Sequence, residues 1–175
     1  MNPTPTGRVT KSAAGTYDLI LTRTFNAPVE DVWASITEPD RTERWFGTWR
    51  GDAGPGKMVQ VQMGFEEGAG WSDVRIEACR PPNHLAVSVN DAYGHWNLEA
   101  NLAERNGVTT LEFIHRQISP ADAENVGPGW EYYLDMLAAS RANQPLPDFD
   151  DYYPAQASYF AEQVNSGGGS QASSA

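Results

Sequence analysis

The sequence predicts an α+β protein in which an antiparallel sheet wraps around one long C-terminal helix. Residues 129–142, GWEYYLDMLAASRA, carry apolar side chains at i, i+3, i+4, i+7 and i+8, the spacing of one helix face. Most of the preceding chain alternates apolar and polar residues, as half-buried strands do. Consecutive hairpins leave one face of a sheet to be covered, and the long helix is the expected cover. We therefore expect a space between this helix and the concave face of the sheet.

The first predicted elements are a strand and two short helices. The strand covers Tyr17 to Phe25. In the segment NAPVEDVWASIT that follows, Pro28 suits the first helical position and acidic residues favour the positive end of the helix. Pro39 ends this helix, and a second short helix is expected from Asp40.

Five further strands are predicted before the long helix, each with apolar residues at alternate positions. They cover Lys57–Phe65, Trp71–Cys79, His84–Val89, Trp96–Arg105 and Val108–His115. Asn106-Gly107 joins the last two strands, because both residues adopt the positive φ of a two-residue hairpin turn at low cost. A short helical turn at Ser119-Pro120 follows, and Gly127-Pro128-Gly129 is expected to break it before the long helix begins.

The sequence predicts a single domain over residues 16–164, with flexible segments at 1–15 and 165–175. Asp151 is the expected N-cap of a further helix from Tyr152 to Val164, in a C-terminal extension at about 148–164. Tyr152, Tyr159 and Phe160 would form an exposed apolar patch if this helix stood free in water. We therefore expect the extension to fold back beside the sheet or across the mouth of the space, or to pack on a second subunit.

The charge of the chain argues against two classes of partner. Twelve basic and 23 acidic side chains give a formal net charge of −11 and a pI near 4.5. Such a surface repels phosphate backbones and anionic lipid headgroups, so neither nucleic acid nor a membrane is an expected partner. Cys79 is the only cysteine, which excludes an intramolecular disulfide. The N-terminal residues lack the apolar core of a signal peptide, and a soluble cytoplasmic protein is expected.

Several motifs that suggest chemistry fail on a required feature. GDAGPGKM has the spacing of a phosphate-binding P-loop, but Met58 stands where the magnesium-binding Ser or Thr belongs, and a strand follows instead of a helix. The three histidines, His84, His95 and His115, lack metal-site spacing. No GxSxG sequence precedes a helix, so nucleophilic catalysis has no support. We expect no cofactor and no metal.

Two polar residues share the parity of the apolar residues that face the helix. His115 has the parity of Phe113, so its ring either lines the space as a hydrogen-bonded wall residue or serves as a ligand contact or general base. Arg23 has the parity of Phe25 and either presents its charge to the space or pairs with a carboxylate. The pattern leaves these alternatives open.

Two segments resemble a known superfamily. They are RTFNAPVEDVWASITEPDRTERWF, from Arg23 to Phe46, and GWEYYLDML, from Gly129 to Leu137, with GKMVQVQM and the Cys79–Leu85 segment in order between them. The combination resembles the START-like helix-grip superfamily (SRPBCC), and within it the branch similar to the C-terminal domain of the activator of heat-shock-protein-90 ATPase (AHSA-type). The likeness covers roughly residues 17–142 and implies the helix-grip (START-like) fold. The family usually ends with the long helix, so PLPDFDDYYPAQASYFAEQV is an addition.

The candidate ligand-binding residues border the space in this fold, and most of them are aromatic. They are Trp45, Phe46, Trp49, Met63, Trp71, Trp96, His115, Trp130, Tyr133 and Leu137. Pockets for organic ligands are mostly apolar and aromatic with few polar groups. The same residue types also fill protein cores, so pocket lining and plain core fit the pattern equally well.

We expect non-enzymatic binding of a small apolar or aromatic molecule in an internal cavity between the long helix and the sheet. A cyclase- or hydrolase-like enzyme that uses His115 or Arg23 is the first alternative. The resemblance implies the second alternative, a protein-binding module that contacts a chaperone in the stress response. A monomer or a homodimer fits each of these functions.

Overall fold

The computed structural model describes residues 2–92 and 94–169. Eight strands in this part of the chain form one antiparallel sheet. The strands are β1 (Arg8–Lys11), β2 (Tyr17–Phe25), β3 (Gly47–Arg50), β4 (Met58–Met63), β5 (Trp71–Arg80), β6 (His84–Asp91), β7 (Gly94–Arg105) and β8 (Val108–Ile118). Their order across the sheet is β1-β2-β8-β7-β6-β5-β4-β3. The strands from β3 to β8 therefore form a meander, and β8 returns to pair with β2.

Four α-helices complete this part of the chain. They are α1 (Val29–Thr37), α2 (Pro39–Thr42), α3 (Ala123–Arg141) and α4 (Ala157–Gly169), with short 3-10 turns at Pro120–Asp122 and Phe149–Asp151. The longest, α3, has 19 residues and packs against the face of the sheet that carries Leu19 and Leu21. This arrangement confirms the predicted α+β helix-grip class, with two short helices after the strand at Tyr17–Phe25. Within the described residues, no helix combines the length and the apolar character needed to cross a membrane.

Two tryptophans fix the end of α1. The indole Nε1 of Trp45 donates to the carbonyl of Ser35 at 2.9 Å, and that of Trp49 donates to the carbonyl of Thr37 at 2.8 Å. The last carbonyls of a helix have no partner within the helix, so these bonds satisfy two of them. They also hold β3 and the residues before it against α1.

The main core lies between α3 and the half of the sheet that contains the neighbouring strands β2 and β8. Leu19, Leu21, Leu111 and Leu137 are almost fully buried there. Residues at helical spacing on α3 meet alternate residues of each strand, because alternate residues point to one face of a sheet. Removing these side chains from water provides the main stabilising contribution to the fold.

The hairpin between β7 and β8 confirms the predicted two-residue turn. Arg105 pairs with Val108, and the two residues between them have positive φ, 53° at Asn106 and 76° at Gly107. Both angles are those of a type I′ turn, whose twist matches that of the flanking strands. This turn therefore sets the register between β7 and β8, the two longest strands.

The N-terminal residues join the sheet, which corrects the expectation of a flexible segment over residues 1–15. Arg8–Lys11 pairs antiparallel with β2. The backbone amides of Thr6 and Gly7 donate to Glu131 Oε1, at 2.5 and 2.6 Å. Glu131 lies more than a hundred residues along the chain from these amides, so the small polar residues of the segment give no local indication of the contact.

A short edge strand, β3, is absent from the sequence-based prediction. It has four residues, too few for alternation to be recognised, and it pairs with β4. Gly47 begins the strand where a Cβ atom would lie 2.1 Å from the carbonyl oxygen of Gln62. Only glycine allows the two backbones to approach so closely.

The long helix begins at Ala123, six residues before the predicted start, so Gly127-Pro128-Gly129 does not break it. Pro128 removes one backbone hydrogen bond near the start of the helix. Tertiary packing outweighs this loss, because Gly127 lies against the ring of Phe160 from α4, and a Cβ atom on Gly127 would be 2.3 Å from that ring. The glycine that resembles a helix breaker is a close contact between two helices.

The C-terminal extension folds back on the chain's own domain and packs against α3 and β1. Tyr152 and Phe160 are only 2% and 0% exposed, so the apolar patch that the sequence predicts is covered. Tyr159 and Gln163 also donate to the carbonyl oxygen of Gly7, both at 3.0 Å. The extension thus covers the outer side of α3 and holds the N-terminal segment.

The bounds of the last helix differ from those predicted. It begins at Ala157 instead of Tyr152, because Pro154 disfavours helical backbone at the residue before it. Asp151 is not the N-cap of this helix, because it lies within the preceding 3-10 turn. Asp148 caps that turn, and its side chain accepts from the amide of Asp150 at 3.0 Å. The helix continues to Gly169, into the predicted tail, while residues 170–175 lie outside the described residues.

Candidate functional site

The helix-facing side of the sheet is only half covered. α3 packs on the half that contains β2 and β8. On the same face of the other half Val59, Val74 and Ile76 are buried in a second apolar cluster, and the apolar side chains around them are partly exposed. We call this surface the groove, and its residues are Val61, Met63, Leu85, Val87, Val89, Trp96, Leu98 and Ala100. The strand register places Val87, Leu98 and His115 in one row across three neighbouring strands. The groove is open, and it differs in this respect from the enclosed cavity that the sequence predicts.

Four aromatic side chains form a wall where α3 meets the groove. Between ring centroids, Phe46 lies 5.2 Å from Tyr133 and 6.2 Å from Trp130. The ring of Trp45 lies 5.4 Å from that of Phe46. Phe113 on β8 continues the cluster, 4.4 Å from Trp130. Such tilted and offset pairs are the favoured geometries of aromatic contacts. The structure thus brings together Trp45, Phe46, Trp130 and Tyr133 as the sequence predicts.

His115 lies at the junction of the wall and the groove, with 4% of its surface exposed. The indole Nε1 of Trp130 donates to His115 Nδ1 at 3.1 Å, and Trp96 stacks on the imidazole at 4.9 Å between centroids. Because an indole nitrogen only donates, Nδ1 must be unprotonated. Burial lowers the pKa of His115 to about 4, so the ring is neutral near pH 7 and carries its proton on Nε2.

The Nε2–H group of His115 has no acceptor among the described residues. Among the described residues, Gln156 Oε1 is the only side-chain polar atom that is both fully buried and without a hydrogen bond. His115 Nε2 is not such an atom, so it keeps some contact with solvent. His115 therefore presents one hydrogen-bond donor beside an apolar surface. This geometry agrees with the wall-residue alternative and leaves a single polar contact for a ligand.

A loop closes the other side of the wall. The hydroxyl of Tyr133 donates to Glu66 Oε1 at 2.9 Å, and Glu66 lies in the connection between β4 and β5. Burial, followed by the nearby carboxylate, raises the pKa of Tyr133, so the phenol stays protonated and keeps donating. The connection between β4 and β5 is therefore in contact with α3.

Of the other candidate residues, two border the groove and two do not. Leu137 is fully buried in the core, whereas Met63, one of the groove residues, packs at the margin of the core. Trp49 pairs in register with Val61 and packs on the second apolar cluster of Val59, Val74 and Ile76. Trp71 lies on the convex face of the sheet, 37% exposed, where the guanidinium of Arg50 stacks on it at 3.9 Å. Trp71 therefore does not border the groove, contrary to the prediction.

Arg23 pairs with carboxylates, as one of its two alternatives predicts. Its Nη2 donates to Glu131 at 2.7 Å and its Nε to Asp135 at 3.0 Å, while Nη1 donates to Thr6 Oγ1 and to the carbonyl of Thr22. Each guanidinium nitrogen thus has a partner inside the protein. A ligand in the groove would meet no free donor from Arg23.

The other two histidines form hydrogen bonds with asparagine side chains. His84 bonds to Asn101, and His95 bonds to Asn90 and Asn97, all through side chains on the convex side of the sheet. Among the described residues, no three His, Cys, Asp or Glu side chains are close enough to hold a metal ion.

The floor of the groove is not among the candidate residues. Leu85, Val87 and Leu98 hold alternate apolar positions of predicted strands, but alternation does not reveal how far a helix extends over a sheet. Glu66 was also missed, since its partner Tyr133 is 67 residues away. Strand parity does place Trp71 on the convex face, because Val74 and Ile76 on the same strand point to the opposite face.

The fold and its half-covered sheet define a helix-grip protein of the START-like superfamily. Residues 26–140 match the sequence model of the family described as "Activator of Hsp90 ATPase homolog 1-like protein". The match covers more than half of the chain, and the protein belongs to this family. No curated protein matches the chain.

Solved structures share the architecture. The chain is 26% identical to CalU16 from Micromonospora echinospora, covering 92% of this chain and 97% of that one, with a TM-score of 0.73. It is similar in fold to a protein of Bordetella parapertussis, with 19% identity over 94% of each chain and a TM-score of 0.68. DynU16, from the dynemicin biosynthetic locus, is 20% identical over 78% of this chain and 50% of its own, with a TM-score of 0.62.

Proposed function

We propose that this protein binds a small apolar or aromatic molecule in the groove. The observation that carries the proposal is the set of partly exposed apolar side chains on the helix-facing side of β4, β6 and β7. A soluble protein seldom leaves a contiguous apolar surface open unless something covers it. Covering it removes apolar area from water, which contributes about 25 cal/mol per Å².

The surroundings of the groove favour a ligand of a particular chemistry. Trp96 and Trp130 offer aromatic faces and edges to a planar ring. His115 Nε2–H is the hydrogen-bond donor beside them, so the ligand carries one oxygen acceptor, such as a carbonyl or phenol, at the end that reaches the wall. An apolar body with one acceptor therefore fits better than a charged or polyhydroxylated molecule.

Binding is better supported than catalysis. A general base works best with a pKa near the working pH, whereas the pKa of His115 is about 4. Arg23, the other candidate for catalysis, is held by Glu131 and Asp135. The residues that could move a proton are thus either poorly matched in pKa or engaged in the fold.

The test uses the neutral aromatic probe N-phenyl-1-naphthylamine and measures its binding by calorimetry. Leu98→Trp fills the middle of the groove floor and is expected to weaken probe binding at least about tenfold, since an overpacked site excludes the ligand. Arg75→Trp adds the same ring to an exposed position on the convex face of β5 and is the matched control.

Equal probe affinities for Leu98→Trp and the wild type would place the site elsewhere and refute the proposal. A second comparison tests the polar contact, using 1-naphthol, whose oxygen can accept a hydrogen bond, and naphthalene, which cannot. His115→Phe is expected to reduce the affinity for 1-naphthol while leaving that for naphthalene largely unchanged.

A further inference from the structure

A polar cleft lies on the surface between α1, α2 and the C-terminal end of α3. Its volume is about 280 Å³, and it is lined by Asp31, Ser35, Arg41, Arg44, Ser140, Arg141 and Asn143. We call it the arginine cleft. Three positive charges and one negative charge line it, although the formal net charge of the chain is −11. A quarter of the twelve basic residues therefore meet at one place on an acidic protein.

Asp31 shows how this cleft holds a carboxylate. Arg141 Nη2 donates to one oxygen of Asp31 at 2.8 Å, and Arg41 Nη1 donates to the other at 2.9 Å. These hydrogen bonds hold the pKa of Asp31 below its ordinary value. Arg141 also donates to Ser35 Oγ at 2.6 Å, so its guanidinium is fixed in place. Two arginines are thus already arranged around an oxyanion.

Arg44 is the third arginine, and it forms no ion pair with a described residue. Its side chain is exposed at the cleft and makes no hydrogen bond, ion pair or ring contact with any described residue. The side-chain amide of Asn143 is likewise without a hydrogen-bond partner among them and offers two N–H donors. Arg41 is only partly available, because its Nε also pairs with Glu38 at 3.3 Å.

We propose that the arginine cleft binds the phosphoryl group of a small molecule through Arg44, Arg41 and Asn143. A guanidinium presents its N–H donors in a planar fork that suits phosphate oxygens. The three arginines face two carboxylates, Asp31 in the lining and Glu38 paired with Arg41, so one net positive charge remains to attract the roughly −1.5 to −2 charge of a phosphate monoester near pH 7. The C-terminal end of α3 contributes partial negative charge, and Arg141 in the last turn offsets it.

This site is separate from the groove and does not depend on the function proposed for it. Arg141 follows Trp130 by eleven positions on α3, which corresponds to about 16 Å along the helix axis. A phosphorylated molecule of ordinary size cannot contact both places through its phosphoryl group. The two sites can therefore be tested with different ligands.

The test is isothermal titration calorimetry of the full chain with inorganic phosphate and with phenyl phosphate. We expect saturable binding, and Arg44→Ala is expected to weaken it at least about fivefold, because it removes a charge-assisted donor without breaking any internal bond. Asp31→Asn is expected to tighten binding, because it removes the carboxylate that competes for Arg41 and Arg141. Tighter binding of phenyl phosphate than of phosphate would identify an organic phosphate, and the reverse would identify the free ion.

Arg8→Ala is the matched control, since it removes the same charge from an exposed residue of β1, at the sheet edge opposite β3. Circular dichroism and urea unfolding establish that each variant is folded. The proposal is overturned if the wild type binds neither ligand, or if Arg44→Ala and Arg8→Ala weaken binding equally, because the effect would then be one of overall charge. If Asp31→Asn does not fold, the comparison of Arg44→Ala with Arg8→Ala decides.

Discussion

His115 couples the stability of the domain to pH. Its pKa is about 4 in the folded protein and 6.5 when it is exposed, so between these values the unfolded chain binds a proton that the folded protein does not. The stabilising contribution is therefore complete above about pH 6.5 and is lost as the pH falls toward 4. We expect the free energy of unfolding to be on the order of 1 to 2 kcal/mol lower at about pH 5 than at about pH 7. Urea unfolding at the two pH values measures this difference.

The variant His115→Gln separates this effect from other titrations. Glutamine can still accept from Trp130 Nε1 but does not titrate, whereas His84 and His95 remain in both proteins. Subtracting the two pH profiles isolates the contribution of His115. A variant whose stability falls by the same amount between the two pH values would show that His115 is not the responsible group.

Glu131 joins three parts of the chain through one buried carboxylate. It accepts from the amides of Thr6 and Gly7 and pairs with Arg23 at 2.7 Å, and only 1% of the residue is exposed. Glu131→Ala would leave a buried guanidinium with fewer partners and two amides without an acceptor. Breaking a buried pair in this way costs about 3 to 5 kcal/mol.

Glu124→Ala is the control, because Glu124 is an exposed residue in the first turn of the same helix. Its loss is expected to cost no more than about 1 kcal/mol, the usual size of an interaction with the helix dipole. Urea unfolding of the two variants measures both effects. Similar losses in both would mean that the network around Glu131 adds little to stability.

Among the elements, α3 contains a test of helix propensity against packing. A Cβ atom on Gly127 would lie 2.3 Å from the ring of Phe160, whereas one on Gly129 would meet nothing within 4 Å. Alanine is favoured over glycine in a helix by about 1 kcal/mol, so propensity alone predicts that both substitutions stabilise. We expect Gly129→Ala to stabilise by up to this amount and Gly127→Ala to destabilise by about 1 to 3 kcal/mol through overpacking.

Thermal and urea unfolding of the two glycine variants measure these opposite signs. If both stabilise the protein, α4 is held less closely to α3 than the structure shows. If both destabilise it, the backbone of this part of the helix tolerates no side chain, and the contact with Phe160 is not the cause.

The elements that the sequence predicts are those whose signals are local. The β7–β8 turn follows from Asn106-Gly107, and the apolar stripe of α3 follows from residues within four turns of one another. β1 was missed because its partners on β2 and α4 are recognised only through tertiary contacts. A bulge between Ile76 and Ala78 also turns Ala78 to the convex face, although the alternation places it inward.

The candidate site is predictable in composition but not in shape. The sequence identifies the wall, because Phe46, Trp130 and Tyr133 lie in motifs whose fold is recognisable. The open half of the sheet cannot be predicted, because it depends on the angle at which α3 crosses the strands. The roles of Glu66 and Gly127 depend on contacts across 67 and 33 positions, and no local pattern marks them.

For the whole molecule, the extension after α3 is expected to be essential for stability. Deleting residues 148–175 removes Tyr152 and Phe160 from the core, and burying two aromatic side chains contributes about 3 to 6 kcal/mol in total. Urea unfolding of the shortened chain is therefore expected to show a loss of at least about 3 kcal/mol, provided that it folds at all.

Two point variants keep this prediction measurable if the shortened chain does not fold. Phe160→Ala is expected to cost about 3 to 5 kcal/mol, as substitutions of buried aromatic residues do. Tyr153→Ala, at a position 37% exposed, is expected to cost much less. Equal and small effects of both would show that the extension adds nothing to the core.

The contacts between the N-terminal segment and α4 have a consequence for protein synthesis. Gln163 bonds to both Val9 and Gly7, and Gln156 donates to the carbonyl oxygen of Pro3 at 2.9 Å. The partners are separated by more than 150 positions, so at about 5 to 20 residues per second the ribosome makes them roughly 8 to 30 s apart. Chain segments collide within microseconds, so translation sets the time at which these bonds form. A ribosome that pauses before Gln156 prolongs the period in which the first residues have no partner in α4.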